Sequence, residues 1–398
     1  MPDAALVWSP DLTQYNFGPG HPMSPARLNL THALAEELGL TSPDRVRVIE
    51  PVAVTEDELL AVHSEDYVAA VRDAQETGAH AHRMGLGLED NPVFDQIHTA
   101  SARIVGSTLA AARAVWSGES RRAFSPAGGM HHAMPAAASG FCVYNDLALA
   151  IRDLRSRGAG RVVYVDLDAH HGDGVERVFW DDPDVLTISV HEHPTTLFPG
   201  TGYPQDVGGP GARGSAVNVA LPAGTGDAQW LRAVDAVVSP LVQAFAPDVV
   251  VSQHGCDSHA HDPLTGLSLS VDAQRRAALV VAELADRHAE GRWVAAGGGG
   301  YEIFNVVPRA WCHVLAIVEG RPVALETPTP PDWRTQVAAI DDMPVATSMS
   351  DVGRLGTREV TETFRPFAEG YDPADPVDRA IIATRRAVFP DHGLDPLP

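Results

Sequence analysis

Short β-branched runs alternate with amphipathic stretches from Arg122 to Glu319, and this alternation constrains the fold more than any other feature. Strands are expected at Arg122–Ser125, Arg161–Val165, Val185–Val190, Ala216–Ala220, Pro247–Ser252 and Arg292–Ala296. Helices are expected between them at Asn145–Arg157, Asp227–Phe245, Val271–Glu290 and Ile303–Glu319. Parallel strands need long crossover connections, which helices supply. The pattern therefore predicts an α/β fold with a mainly parallel sheet and helices on both faces. Upstream, Ala4–Trp8 reads as a strand, and Arg45–Val48 as a weaker one. Pro25 and Gly39 bracket a helix, residues 65–77 and His98–Trp116 form two more, and Thr55 with Glu58 has the spacing of a capping box.

Five of these six strands, all but Ala216–Ala220, run into a polar cluster. The strand at Arg161–Val165 feeds Asp166-Leu-Asp168-Ala-His170-His171-Gly-Asp173. Side chains alternate along an extended backbone, so Asp166, Asp168 and His170 are expected on one face at the carboxyl end of a buried strand. Open α/β sheets bind ligands at that end. Carboxylate and imidazole donors together suit a divalent cation such as zinc or iron(II). Four further clusters are His131-His132, Phe198-Pro-Gly-Thr-Gly202, Gln253-His-Gly-Cys-Asp257 and Gly297–Tyr301. No Gly-Lys-Ser/Thr follows the glycine run, which excludes a nucleotide P-loop.

The formal net charge is −23, and every one of the 29 basic residues is arginine. Nucleic-acid binders need a basic surface, so no nucleic acid partner is expected. The three cysteines, Cys142, Cys256 and Cys312, form no Cys-x-x-Cys pair, consistent with a reducing cytoplasm. The N-terminus lacks a basic, then apolar, secretory pattern, and no apolar run is long enough for a membrane span, so a cytoplasmic protein is expected. Composition changes near residue 325. Thr327-Pro-Thr-Pro-Pro-Asp332 reads as a connector, and one late helix is expected at Asp378–Val388. Residues 1–324 are read as one catalytic domain, and 325–398 as an appendage packed on it or trailing from it.

Taken in chain order, from His131-His132 to Gly297–Tyr301, the five clusters resemble the histone deacetylase superfamily. The likeness is to bacterial acetoin-utilisation-type deacetylases, close to the class I enzymes, and covers roughly residues 5–320. It implies the three-layer arginase–deacetylase fold and a hydrolase that releases acetate from N6-acetyl-lysine with metal-activated water. By this resemblance Asp168, His170 and Asp257 hold the metal, usually zinc; the donor set also suits iron(II). His254 and His259, which flank Asp257, are not expected to be ligands. His131 pairs with Asp166 and His132 with Asp173, with His132 as general base and His131 as electrostatic helper. Tyr301 stabilises the oxyanion. Gly140, Phe141 and Phe198 form the channel for the acyl-lysine stem. Asp90 meets the substrate backbone, and Leu264 stands where polyamine-selective relatives carry an acid. Arg27 lies near an acetate exit, and Ser189 joins a structural potassium site with Asp166, Asp168 and His170 backbone. Ser24 replaces the basic residue that helps bind inositol phosphate in eukaryotic class I enzymes, so that regulation is not expected. The implied partners are acetylated proteins, such as an acyl-CoA synthetase of acetate or acetoin metabolism; the oligomeric state is open. The competing readings are an acetylpolyamine amidohydrolase, a catalytically inactive acetyl-lysine binding module and an arginase-like binuclear hydrolase.

Overall fold

A computed structural model describes residues 3–398. Eight strands form one sheet: β1 (Ala4–Val7), β2 (Arg47–Ile49), β3 (Arg122–Ser125), β4 (Val162–Asp166), β5 (Val185–Glu192), β6 (Ala216–Leu221), β7 (Val249–Gln253) and β8 (Trp293–Ala296). Their order is β2-β1-β3-β8-β7-β4-β5-β6, and every pairing is parallel. The helices are α1 (Ala26–Glu37), α2 (Glu56–Leu59), α3 (Glu65–Thr77), α4 (Ile97–Trp116), α5 (Asp146–Ser156) and α6 (Asp173–Phe179). They continue with α7 (Asp227–Phe245), α8 (Val271–His288), α9 (Val307–Val318), α10 (Pro331–Ala338) and α11 (Pro376–Val388). One layer holds α1, α9, α8 and α7, and the opposite layer holds α3, α4, α5 and α6. Strands covered on both faces bury every residue, as β4, β5, β6, β7 and β8 do. Among the described residues no helix is long and apolar enough to cross a membrane.

Local chemistry sets the element ends. Thr55 and Glu58 close a reciprocal capping box on α2. Asn145, Ser64 and Ser270 cap α5, α3 and α8 with side-chain oxygens. The helix expected from Ile303 begins only at Val307, because Pro308 has no N–H to give and is tolerated only in a first turn. Helices α6 and α10 occupy stretches with no expected helix. The first is only seven residues long, and the second starts inside the Pro-rich connector with Pro331 in its first turn.

The segment after residue 324 packs on the sheet-bearing body. Trp333 of α10 is fully buried, and its indole N–H donates to the Leu30 carbonyl of α1 (3.0 Å). Helix α11 lies along β6, the edge strand, where the Thr384 hydroxyl donates to the Asn218 carbonyl (2.6 Å). That contact occupies a strand edge that would otherwise be open to pairing. Helix α7 contains Pro240, which leaves the Ala236 carbonyl without its helical donor. Arg385 of α11 donates to that carbonyl at 2.7 Å. A defect in one element is thus repaired by the other.

Candidate active site

All strands run the same way, so their carboxyl ends share one edge. The five strands that precede the polar clusters, β3, β8, β7, β4 and β5, are neighbours in the middle of the sheet. Clusters far apart in sequence are therefore brought within side-chain reach.

Strand β4 ends at Asp166, so strict strand alternation does not carry Asp168 and His170 as expected. Bends do so instead. Asp166 Oδ1 accepts from the Asp168 amide (3.1 Å), and Asp168 Oδ1 accepts from the His170 amide (2.9 Å). Asp257, after β7, accepts from the Ala169 amide (2.9 Å). His170 Nδ1 then faces both Asp168 Oδ1 (3.0 Å) and Asp257 Oδ2 (2.9 Å). One donor atom from each of Asp168, His170 and Asp257 lies within 4.8 Å of the others, and all three residues are buried. Burial lowers the His170 pKa, but Asp257 and Asp168 outweigh it and hold the imidazole well above its usual value. Two buried carboxylates around one proton-bearing nitrogen suit a cation that displaces the proton. The group fits a divalent metal with N/O preference.

The glycine run makes this approach feasible. A Cβ on Gly299 would lie 2.2 Å from Asp257 Oδ2, and one on Gly255 would lie 1.9 Å from Asp168 Oδ2. Only glycine lets these backbones reach the carboxylates. The Gly299 amide donates to Asp168 Oδ2 (2.8 Å), and Gln253 Nε2 donates to the same oxygen (3.1 Å).

The adjacent histidines diverge into two pairs. His131 Nδ1 lies 2.8 Å from Asp166 Oδ2, and His132 Nδ1 lies 2.7 Å from Asp173 Oδ1. The Tyr164 hydroxyl also donates to Asp166 Oδ2 (2.6 Å). For His131, burial lowers the pKa, but Asp166 and Asp168 outweigh it and raise it to about 9. For His132, burial and the neighbouring His131 charge lower it to about 4, against the pull of Asp173. The two environments thus push the pair apart, His131 toward the cation and His132 toward the neutral base. Environments that drive two titratable groups apart in this way mark acid–base machinery.

Above these groups lies a cavity of about 380 Å³, lined by Asp90, His132, Gly140, Phe141, His170, Leu197, Phe198, Leu264 and Tyr301. That volume is in the range of small-ligand sites. The His132 and Phe198 rings meet edge to face at 5.0 Å, and Phe141 meets Tyr301 at 5.6 Å. Phe141 has φ +68°, held by the Tyr15 hydroxyl donating to its carbonyl (2.6 Å). Burial, with Asp257 and Asp168 nearby, raises the Tyr301 phenol well above its usual pKa, so it stays a donor. The Tyr301 amide donates to Asp262 Oδ2 (2.8 Å).

The remaining expected residues are placed as follows. Asp90 Oδ2 accepts from the Gly140 amide (3.1 Å), which ties the rim to the channel wall. Arg27 is buried behind the glycine run and donates to the carbonyls of Gly298 (2.9 Å) and Gly300 (3.2 Å). Ser189 is the register partner of Asp166 across β4–β5, with its hydroxyl 2.8 Å from His191 Nδ1. His254 bonds Ser252 (2.8 Å) and His259 bonds Asp351 (2.8 Å), so neither joins the carboxylate cluster. Sequence reasoning gave no role to Asp146, Asp262, Tyr15 or Leu197. Asp146 accepts from the Gly129 (2.9 Å) and Met130 (2.7 Å) amides and so holds the turn that presents His131. Its one sequence signal is an acid in the first turn of a helix right after the cluster.

The histone deacetylase domain pattern matches residues 21–318 of the chain. The chain belongs to the histone deacetylase family. The acetoin utilization protein AcuC of Bacillus subtilis (strain 168) is 40% identical over 336 residues, covering 84% of this chain and 86% of the relative. The protein of the same name from Staphylococcus xylosus is 38% identical over 349 residues, covering 87% and 90%. Among solved structures, an HDAC homolog complexed with SAHA aligns with TM-score 0.80 at 30% identity over 90% of this chain and 97% of its own. An HDAC homolog from Aquifex aeolicus aligns with TM-score 0.81 at 29% identity over 95% and 99%. This deacetylase is therefore a hydrolase of amides, of the acetoin-utilisation type, on the arginase–deacetylase fold.

Proposed function

We propose that this deacetylase removes acetyl groups from lysine side chains of proteins, using a divalent metal held by Asp168, His170 and Asp257. One observation carries the reading: His132, paired with Asp173, shares the floor of an aromatic-walled cavity with Tyr301 and His170. Zinc or iron(II) at that site would supply Lewis acidity and make water a nucleophile near neutral pH.

The chain's own residues do the rest. Asp173 fixes the His132 tautomer with the proton on Nδ1, which leaves Nε2 free to accept a proton from water. As water oxygen bonds to the acetyl carbon, the Tyr301 hydroxyl donates to the carbonyl oxygen that becomes negative. His131, cationic through Asp166, adds positive potential behind the same centre. His132 then returns its proton to the lysine nitrogen as the C–N bond breaks, giving acetate and a free amine. Phe141 and Phe198 hold the apolar stem between them. Asp90 keeps Oδ1 for a peptide amide while Oδ2 holds Gly140. Arg27 lies where acetate would leave.

A structural potassium ion belongs to the same proposal, held by Ser189, Asp166 and the Asp168 and His170 carbonyls. Among the described residues no donor reaches those two carbonyl oxygens, which fits a cation as their partner. The substrate in the cell is proposed to be an acetylated metabolic enzyme, such as an acyl-CoA synthetase. Leu264 argues against polyamines, because an apolar residue at the mouth offers nothing to a second ammonium.

The test is acetate release from an acetyl-lysine peptide and from an acetylpolyamine with the same enzyme. Preferred turnover of the peptide is expected. Turnover of the polyamine alone would transfer the assignment to small amines.

A further inference from the structure

The segment after residue 324 reaches beneath the metal-ligand loop. Residues 327–329 and 347–349 pair with one another, the Met349 amide donating to the Thr327 carbonyl (2.9 Å). Helix α9 grips the far end of that pairing. Arg309 donates to the Ser350 carbonyl (3.1 Å), and His313 Nε2 lies 3.0 Å from the Met349 carbonyl. Asp351 follows at 1% exposure.

Its carboxylate joins three elements. Oδ1 accepts from Arg309 (2.7 Å), and Oδ2 accepts from the Val271 amide (2.9 Å) and from His259 Nε2 (2.8 Å). The His261 amide donates to His259 Nδ1 (3.1 Å), which assigns the imidazole proton to Nε2 and makes His259 the donor to Asp351. Burial raises the Asp351 pKa, but Arg309 and His259 overcome it and keep the group ionised. A satisfied buried charge of this kind fixes geometry tightly, because losing a partner leaves it unpaired.

His259 stands two residues after Asp257, in the loop that also supplies Asp262 and Leu264. Asp262 receives the Tyr301 amide through Oδ2 (2.8 Å) and the Leu264 amide through Oδ1 (3.0 Å). The Thr265 hydroxyl closes the loop onto the Asp257 carbonyl (2.5 Å). We infer that Asp351, from the C-terminal segment, is a positioning residue of the active site: through His259 it sets the loop that aims Asp257 and Tyr301. The segment is then part of the catalytic apparatus and not an outer wrapping. The inference rests on the proposed roles of Asp257 and Tyr301.

The test compares Asp351→Asn and His259→Leu with Asp378→Asn. Asp378 is paired with Arg232 (2.7 Å) and anchors the same segment to α7 and not to the metal-ligand loop. Full-length proteins are assayed well below their own melting temperatures. Zinc affinity is read by chelator competition, and kcat and KM on an acetyl-lysine peptide. Partners that orient metal ligands typically contribute ~10- to 100-fold to affinity or activity. Losses of about that size in zinc affinity and kcat are expected for both loop variants, with KM moved less. Asp378→Asn should lower the melting temperature and leave zinc affinity and kcat within about twofold of wild type. His259→Leu spares the Arg309–Asp351 pair, so it decides the matter if Asp351→Asn does not fold. Loop variants that keep wild-type zinc affinity and kcat would overturn the inference. A wild-type protein that binds zinc without turning over the peptide would instead sink the proposed function, while the zinc comparison would still judge the role of Asp351.

Discussion

Replacing Asp166 by Asn should change the pH dependence of catalysis in a calculable way. His131 is fully enclosed, with Asp166 Oδ2 at 2.8 Å from Nδ1 and Asp168 Oδ1 at 4.0 Å from Nε2. Burial pulls its pKa down, and Asp166 then Asp168 drive it up, from 6.5 to about 9. That rise corresponds to ~3 kcal/mol in favour of the cation. Catalysis that needs cationic His131 and neutral His132 is retained below about 9 and lost as pH rises through that value. It is lost again as pH falls through about 4, where His132 takes up a proton. Asparagine keeps the shape of Asp166 but removes the larger of the two attractions. His131 should then titrate at or below its ordinary value, so that at about pH 7.5 only about a tenth of molecules carry the cation. The assay is kcat/KM for an acetyl-lysine peptide across the pH range, with metal held saturating. The alkaline limb should move down by about two pH units or more, with a ~10-fold or larger loss near pH 7.5 that is partly recovered near pH 6. A variant whose alkaline limb stays near 9 with wild-type rates would refute the division of roles between the two histidines.

Three further outcomes follow from the same geometry. Gly140→Ala would place a Cβ 2.5 Å from His132 Cδ2 at φ +50°, so kcat should fall at least ~10-fold with the fold intact by circular dichroism. Leu264→Glu should raise kcat/KM for a cationic acetylpolyamine relative to an acetyl-lysine peptide by ~10-fold, measured by competition between the two substrates. Asp146→Ala removes the acceptor of the Gly129 and Met130 amides, both buried, and should cost ~2–5 kcal/mol of stability by urea unfolding.

The sequence made the sheet and the site legible to different depths. Strand positions read well because β4 and β7 are buried β-branched runs, and helix ends read well where a cap or a glycine stands, as at Asn145 or Gly78. Helix α10 was hidden because Pro331 signals a connector and a first helical turn equally. The expected site residues came from motifs that each lie on one short stretch after one strand. Their supports could not be read in that way. Asp351 meets His259 across 92 residues of chain, and Tyr15 meets the Phe141 carbonyl across 126. Such pairs are set by packing, and nothing in local spacing marks them. Even within the central motif, alternation was the wrong reason for a right convergence. Hydrogen bonds from backbone amides to Asp166 and Asp168, and not an extended strand, bring Asp168 and His170 together.

The most direct test of the account is acetate release from an acetyl-lysine peptide by metal-stripped enzyme titrated with zinc or iron(II), beside Tyr301→Phe. The Tyr301 ring lines the cavity beside Phe141, and the substitution removes only a hydroxyl from that wall. Turnover should be absent without metal and return as metal fills one site per chain. The variant should bind metal as wild type does and lose ~100- to 1,000-fold in kcat. Metal-independent turnover, or a variant as fast as wild type, would contradict the claim that these residues form a metal-dependent deacetylase centre.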